Sequence, residues 1–264
     1  MIGTLAAVRA LITGAGGTVG SALAAEIDRL GGQAVGWDRG VAAPDADPRP
    51  HLASVRPDAV FLLAVASTPS PIGRDVVEVA WPVAIALAGA ELGVPVVFAS
   101  TVMVYGKGDG PFTVGSPVAP LDSETVSKVE AEDGVIEAGG RVVRLGWQIG
   151  TRPGGNHMVD HLHVVASGSG GRVIAGRRWL PACSFLADTA AALVAAAGMP
   201  SDRYLADGND RWSHAEIVAA LAGALDTGWE VVPDDSYVQD QRMFDPRLSV
   251  RTLDRRLPAL RDLD

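Results

Sequence analysis

Val8-Arg-Ala-Leu-Ile-Thr13 followed by Gly14-Ala-Gly-Gly-Thr-Val-Gly20 decides the fold of this chain. A short, mostly apolar run with strand character meets a glycine cluster, and an Ala-rich helical stretch, Val19–Leu30, opens directly after it. A glycine motif carries meaning only in that setting, behind a strand and at the mouth of a helix. Gly14 permits a tight turn, Gly17 lets the backbone approach a pyrophosphate, and Gly20 lets helix and strand pack closely. Gly16, Thr18 and Val19 complete a loop whose helix N-terminus offers free N–H groups to an anion.

Working outward, the second strand ends in Val35-Gly-Trp-Asp38. A carboxylate there accepts hydrogen bonds from an adenosine ribose diol and repels a 2′-phosphate, so NAD is expected over NADP. Arg39 beside it is the residue that would admit NADP. Ala64, closing the third strand, joins the expected cofactor set. Further strands are predicted at Gln33–Trp37, Ala59–Ala64, Val94–Ala99 and Arg141–Gly146, with helices at about Asp75–Leu92 and Ser123–Ala138. Strands alternating with helices predict an α/β fold, a Rossmann-like doubly wound parallel sheet. Gly31-Gly32 and Gly139-Gly140 stop two of the helices. Gly40–Pro50, with three prolines and two aspartates, reads as a surface loop with little room for a full second crossover helix. The texture changes after Gly150, where Gly- and Pro-rich segments interrupt short helices near Met158–Ala166, Asp188–Ala197 and Ser213–Leu225. The expected organisation is a nucleotide-binding domain over 1–150 and a small substrate-binding lobe over 151–264, with chain crossings between them.

Composition bounds the partners. The 264 residues are 48% hydrophobic and 20% charged, which suits a globular protein with ample burial. A net charge of −9 disfavours nucleic acid and anionic membranes. Cys183 is the one cysteine, so no internal disulfide forms; a buried thiol in a reducing compartment is expected. Met1 to Ala7 is too short for a signal peptide, and the longest apolar run, Ala59 to Ala66, is too short to span a membrane. A cytoplasmic location is expected.

The later motifs carry a family resemblance. Phe98-Ala-Ser-Thr-Val-Met-Val-Tyr-Gly106 and Ser127-Lys128, taken with the glycine spacing, resemble the extended short-chain dehydrogenase/reductases. Arg144-Leu-Gly-Trp147, Gly155-Asn-His-Met-Val159, Tyr204-Leu-Ala-Asp-Gly208 and Pro246–Asp254 sharpen the likeness toward the dTDP-4-dehydrorhamnose reductase branch. The resemblance implies an NAD(P)-dependent reductase or epimerase acting on a nucleotide-linked deoxysugar or similar carbonyl compound. By the same analogy the protein is a homodimer. Thr101 matches the hydroxyl that binds the substrate carbonyl, and Lys128 the lysine that binds the nicotinamide ribose. Trp147, Asn156, His157 and Arg178 match or adjoin the substrate region.

Departures matter as much. Val102 and Met103 stand where the family's dehydratases carry an acidic pair, which argues against a 4,6-dehydratase. Val79-Ala-Trp81 offers no counterpart of an active-site Asn. Above all, Leu121-Asp-Ser-Glu-Thr-Val-Ser-Lys128 carries Glu124 where the family carries its catalytic tyrosine. The three tyrosines, Tyr105, Tyr204 and Tyr237, do not replace it by position, since none precedes a lysine by four on a helix. Glu124 and Lys128 are i,i+4 neighbours. An ionised Glu124 is a base, whereas one buried against tryptophans becomes an acid. Three readings stay open: a reductase in which Glu124 or its water relays the proton, a non-redox enzyme using Glu124 as general base, and a silent nucleotide-binding subunit.

Two other clusters have plainer alternatives. His157 and His161 share a helical face with metal-ligand spacing, but cleft lining or simple exposure explains them as well, and no metal is expected. Arg177-Arg-Trp179 would suit a pyrophosphate clamp with a stacked base, or a solvated pair beside a core tryptophan.

Overall fold

Strand β1 (Arg9–Thr13) places Leu11 on one face of the sheet and Ile12 on the other, and both faces are covered. The computed structural model describes residues 8–65, 73–151 and 154–263, so residues 1–7, 66–72, 152–153 and 264 lie outside it. After β1 the chain runs α1 (Thr18–Arg29), β2 (Gln33–Gly36), α2 (Arg49–Val55), β3 (Ala59–Leu62), α3 (Trp81–Leu92), β4 (Val96–Thr101), α4 (Ser123–Glu137) and β5 (Arg141–Leu145). There follow β6 (Trp147–Ile149), α5 (Met158–Gly168), β7 (Arg172–Leu180), β8 (Cys183–Phe185), α6 (Leu186–Ala197), β9 (Arg203–Ala206), α7 (His214–Ala224) and β10 (Glu230–Asp240).

Among the described residues a six-stranded sheet has the order β2-β1-β3-β4-β5-β9, and every pair in it is parallel. Leu23 and Ile27 of α1 and Leu193 of α6 cover one face with Ile12, Phe61 and Val97. Trp81 and Ile85 of α3 and Val135 of α4 cover the other with Leu11, Val60 and Phe98. The doubly wound Rossmann-like sheet is as the sequence predicts. Strand order reverses between β1 and β3, which opens a crevice at their carboxyl ends.

Two elements depart from expectation. The 40–50 segment ends in the two-turn helix α2, because Pro50 sits in the first turn, where a missing N–H costs nothing. The helix predicted at about Asp75–Leu92 begins with a π-helical turn, Val76–Ala80, in which the Trp81 N–H reaches back to the Val76 carbonyl. Pro82 lacks the N–H that a regular turn would send to Glu78, which explains the widening.

After β6 the chain leaves the sheet and returns to it. Two-stranded parallel pairs, β6 with β8 and β7 with β10, build the second lobe around Leu162, Ile217 and Leu253. Helix α6 covers the first sheet, and β9 pairs with β5 as its sixth strand. Cys183 is buried and free. No helix among the described residues is long and apolar enough to cross a membrane.

Candidate active site at the carboxyl edge of the sheet

The glycine loop is tied to the sheet edge. Gly14 has φ +72, and a Cβ there would come within 3.0 Å of the Ala64 backbone; at Gly20 a Cβ would lie 2.1 Å from the Gly14 carbonyl oxygen. The Thr13 hydroxyl accepts the N–H groups of Leu63 and Ala64 at 3.0 and 3.2 Å, which fixes β1 against β3 at the crevice. Gly16 and Gly17 are exposed at the start of α1, and Gly17 caps it without a side chain, leaving its N–H groups open to an anion. The Thr18 hydroxyl instead accepts the Asn156 N–H at 2.8 Å, so the 154–157 segment lies over the helix start. At the end of β2, Asp38 is exposed and its Oδ1 accepts the Gly40 N–H at 2.8 Å, while the Arg39 guanidinium lies 5.4 Å above the Trp81 ring. Val19 is half-buried behind the loop.

Thr101 ends β4, and its Oγ1 accepts the Met103 N–H at 3.2 Å. Helix α4 packs against the same strand and carries Lys128, 7% exposed, with Nζ 4.8 Å from the centre of the Phe98 ring. No hydrogen-bond partner for the ammonium occurs among the described residues. Burial pushes Lys128 below the usual lysine pKa, against the opposing pull of Glu78, Glu124 and Glu132.

Glu124 lies in the first turn of α4, behind the Asp122–Thr125 capping box, where an acid also complements the helix dipole. It is not buried against tryptophans: its side chain is 56% exposed and faces Arg74 at 3.4 Å. The Arg74 Nε also reaches Glu78 at 3.2 Å. Glu78 is 2% exposed, and its Oε2 has no partner among the described residues. The widened turn before α3 puts both Val77 and Glu78 inside. Two acids and two bases, Arg74, Glu78, Glu124 and Lys128, thus form one cluster beside the strand ends. Arg74 and Glu78 were absent from the sequence expectation. The available signal was a single acid within Val76-Val-Glu-Val-Ala-Trp81, an apolar run that gives a solvated acid no place.

Other expected residues divide. Trp147 does wall a cavity of about 370 Å³, together with Met103, Trp179, His214 and Tyr237. Arg178 is exposed and does not wall it, and Arg177 pairs with Asp235 at 2.7 Å, so no pyrophosphate clamp forms around Trp179. His157 is buried as the cap of α5, its Nδ1 accepting the Asp160 N–H at 3.3 Å and its ring against Gly150. It therefore borders the groove beside Gly16–Thr18, not the tryptophan-lined cavity. Among the described residues no group of His, Cys, Asp and Glu could hold a metal. Tyr105 and Tyr204 are core residues, bonded to the Thr113 and Pro200 carbonyls at 3.0 and 2.8 Å. Arg144 forms a buried pair with Glu132 at 2.6 Å, and its second nitrogen meets the Tyr105 hydroxyl at 2.8 Å.

A family profile described as "NAD dependent epimerase/dehydratase family" matches residues 10–144, from β1 through the Arg144 strand. The chain belongs to the NAD dependent epimerase/dehydratase family. No curated protein matches the sequence. Among solved structures, dTDP-4-dehydrorhamnose reductase from Bacillus anthracis in complex with NADP is 18% identical, with TM-score 0.77 over 97% of this chain and 99% of that one. ADP-L-glycero-D-manno-heptose-6-epimerase from Helicobacter pylori is 20% identical, with TM-score 0.73 over 91% and 89%. WbmH from Bordetella bronchiseptica in complex with NAD+ is 20% identical, with TM-score 0.71 over 91% and 90%. At these identities the likeness concerns the fold. On α4 of this chain Lys128 is buried while Glu124 opens to solvent.

Proposed function

We propose that this protein is an NAD(P)-dependent oxidoreductase that interconverts a carbonyl group and a secondary alcohol, as a reductase or as the redox half of an epimerase. The observation that carries the reading is Lys128, a buried ammonium with no hydrogen-bond partner among the described residues, next to Glu78 Oε2, a buried carboxylate oxygen also without one. Buried polar groups are satisfied in folded proteins, so the unpartnered Glu78 oxygen beside a largely buried lysine at this crevice suits a ligand that completes them. The open glycine loop, Asp38 at the end of β2 and the Ala64 edge fit the pyrophosphate, ribose and adenine side of a dinucleotide. Asp38 favours NAD, and Arg39 is the residue that would receive a 2′-phosphate. Structures of similar fold carry NADP or NAD+.

When bound, the reduced nicotinamide supplies the hydride. The chain supplies position and a path for the proton. Because the Thr101 oxygen already accepts from Met103, its own proton is free to donate to the carbonyl oxygen and fix it. Lys128 holds the ribose hydroxyls and places a positive charge near the developing alkoxide. Glu124, a solvent-facing carboxylate beside a guanidinium, accepts hydrogen bonds and does not donate them. It therefore orients a water, and that water passes a proton from bulk solvent to the carbonyl oxygen as the carbonyl carbon becomes an alcohol carbon. The same acceptor character supports a second reading, a non-redox enzyme with Glu124 as general base. A nucleotide-linked deoxysugar or a similar carbonyl compound is the substrate class that the family relationship suggests.

The test has two parts: fluorescence titration with NADH and NADPH, then loss of NADH absorbance with a panel of keto compounds. Cofactor binding with turnover supports the oxidoreductase. Binding without turnover, and with product formed by isomerisation or elimination, moves the assignment to the second reading. No binding of either dinucleotide refutes the oxidoreductase.

A further inference from the structure

Beside the Thr101 turn lies a cavity of about 370 Å³ with four rings among its walls. Trp147 at the start of β6 meets Trp179 of β7 edge-to-face, with centroids 5.9 Å apart and planes at 80°. Tyr237 of β10 meets Trp179 at 5.6 Å and 90°, and His214 lies tilted against it at 4.5 Å. The Trp179 indole is fixed, because its N–H donates to Gln241 Oε1 at 2.8 Å. His214 is fixed too, its Nδ1 accepting the Gly176 N–H at 3.3 Å, and burial keeps the ring neutral with a pKa of about 4. Tyr237 and Trp147 nevertheless remain 50% and 38% exposed, and Ile174 on the same wall is exposed as well. Large apolar side chains held rigid and open toward a cavity mark a ligand surface.

Charge narrows the ligand. Among the described residues no lysine or arginine walls the cavity, and its only carboxylate is Asp234. The nearby Arg177 is spent in a two-pronged pair with Asp235, at 3.0 and 2.7 Å. A diphosphate group is held by arginines, lysines or open backbone N–H groups, and no cation among the described residues lines this cavity to pair with one. Met103 links this cavity to chemistry: it walls the cavity while its N–H bonds Thr101 Oγ1 at 3.2 Å.

We propose that the cavity receives an uncharged aromatic carbonyl compound free of phosphate, its ring against Trp147, Trp179 and Tyr237 and its carbonyl toward Thr101. This narrows the substrate class and rests on the oxidoreductase reading for the carbonyl's role. Ring stacking, and not a phosphate clamp, then sets specificity.

The experiment is saturation-transfer NMR on the full chain with saturating NAD+, using naphthyl methyl ketone and dTDP as the two probes. Saturation should pass from the protein to the ketone, and dTDP should not displace it. Tyr237→Ala and Trp147→Ala, both at exposed positions, should each weaken ketone binding about tenfold. Thermal unfolding of each variant checks that the fold is kept, and the two variants guard each other. Three results overturn the proposal: no transfer to the ketone, displacement by dTDP, or ketone affinity unchanged in both variants. NADH binding is measured separately on the same samples. If it fails while the ketone binds, the oxidoreductase reading falls and the aromatic site stands.

Discussion

Replacing Lys128 with methionine should stabilise the protein without ligand and abolish its response to cofactor. The ammonium is 7% exposed, lacks a hydrogen-bond partner among the described residues, and has its pKa lowered by burial, so folding works against its charge. Methionine has nearly the same reach and carries none. The acids that face Lys128 are not orphaned by the change, since Glu78 keeps Arg74 at 3.2 Å and Glu132 keeps Arg144 at 2.6 Å. Removing a poorly compensated buried charge while leaving its neighbours paired should gain about 1–2 kcal/mol, the lower part of the range seen when buried ions give way to apolar groups. For a chain of this size that is a rise in Tm of about 2–8 °C. The wild type should gain about 2.7 kcal/mol at a NADH concentration one hundred times its Kd, roughly 5–11 °C. Lys128→Met should gain almost nothing. Differential scanning calorimetry with and without NADH reads both effects. The variant's advantage should also shrink as pH rises, because the folded lysine loses its proton before the unfolded one and the wild-type penalty disappears. A variant that melts below the wild type, or one that NADH still stabilises fully, refutes the reasoning.

Glu124→Gln should lower kcat about a hundredfold if its water relays the proton, with NADH affinity unchanged. Its Tm should hold, since a half-exposed pair with Arg74 contributes at most about 1 kcal/mol; steady-state kinetics beside NADH titration would expose a purely structural role. Glu132→Ala leaves Arg144 buried without its carboxylate and should cost about 3–5 kcal/mol, read from the shift in urea midpoint. His214 has a folded pKa of about 4 against an ordinary 6.5. The unfolded chain therefore takes up its proton first, and stability should fall by about 3 kcal/mol as pH drops from near 6.5 toward 4. His214→Gln should flatten that part of a pH series of urea melts; an unchanged slope would mean the imidazole does not carry it.

The glycine loop shows how much the sequence can hold. Gly14 must take a positive φ beside Ala64, and Gly20 must leave room for the Gly14 carbonyl, so both constraints are written as missing side chains. The strands are legible for a related reason: a sheet buried on both faces requires short apolar runs whatever lies around them. The active-site cluster is different. The Glu124–Lys128 spacing is a local helical fact, but whether that carboxylate is buried depends on Arg74, fifty residues away in sequence and across the crevice. Glu78 points inward because Pro82, four residues on, disturbs the turn that carries it.

The aromatic cavity is less legible still. Met103, Trp147, Trp179, His214 and Tyr237 come from five separate segments that only the packing of β6, β7, α7 and β10 brings together. The sequence by itself determined a parallel dinucleotide-binding sheet, because glycine geometry and strand periodicity are local and repeat along the chain. Tertiary structure alone decided which charges are buried and which rings face the cavity. Burial and electrostatic environment belong to the surroundings of a side chain, and those surroundings come from distant parts of the chain.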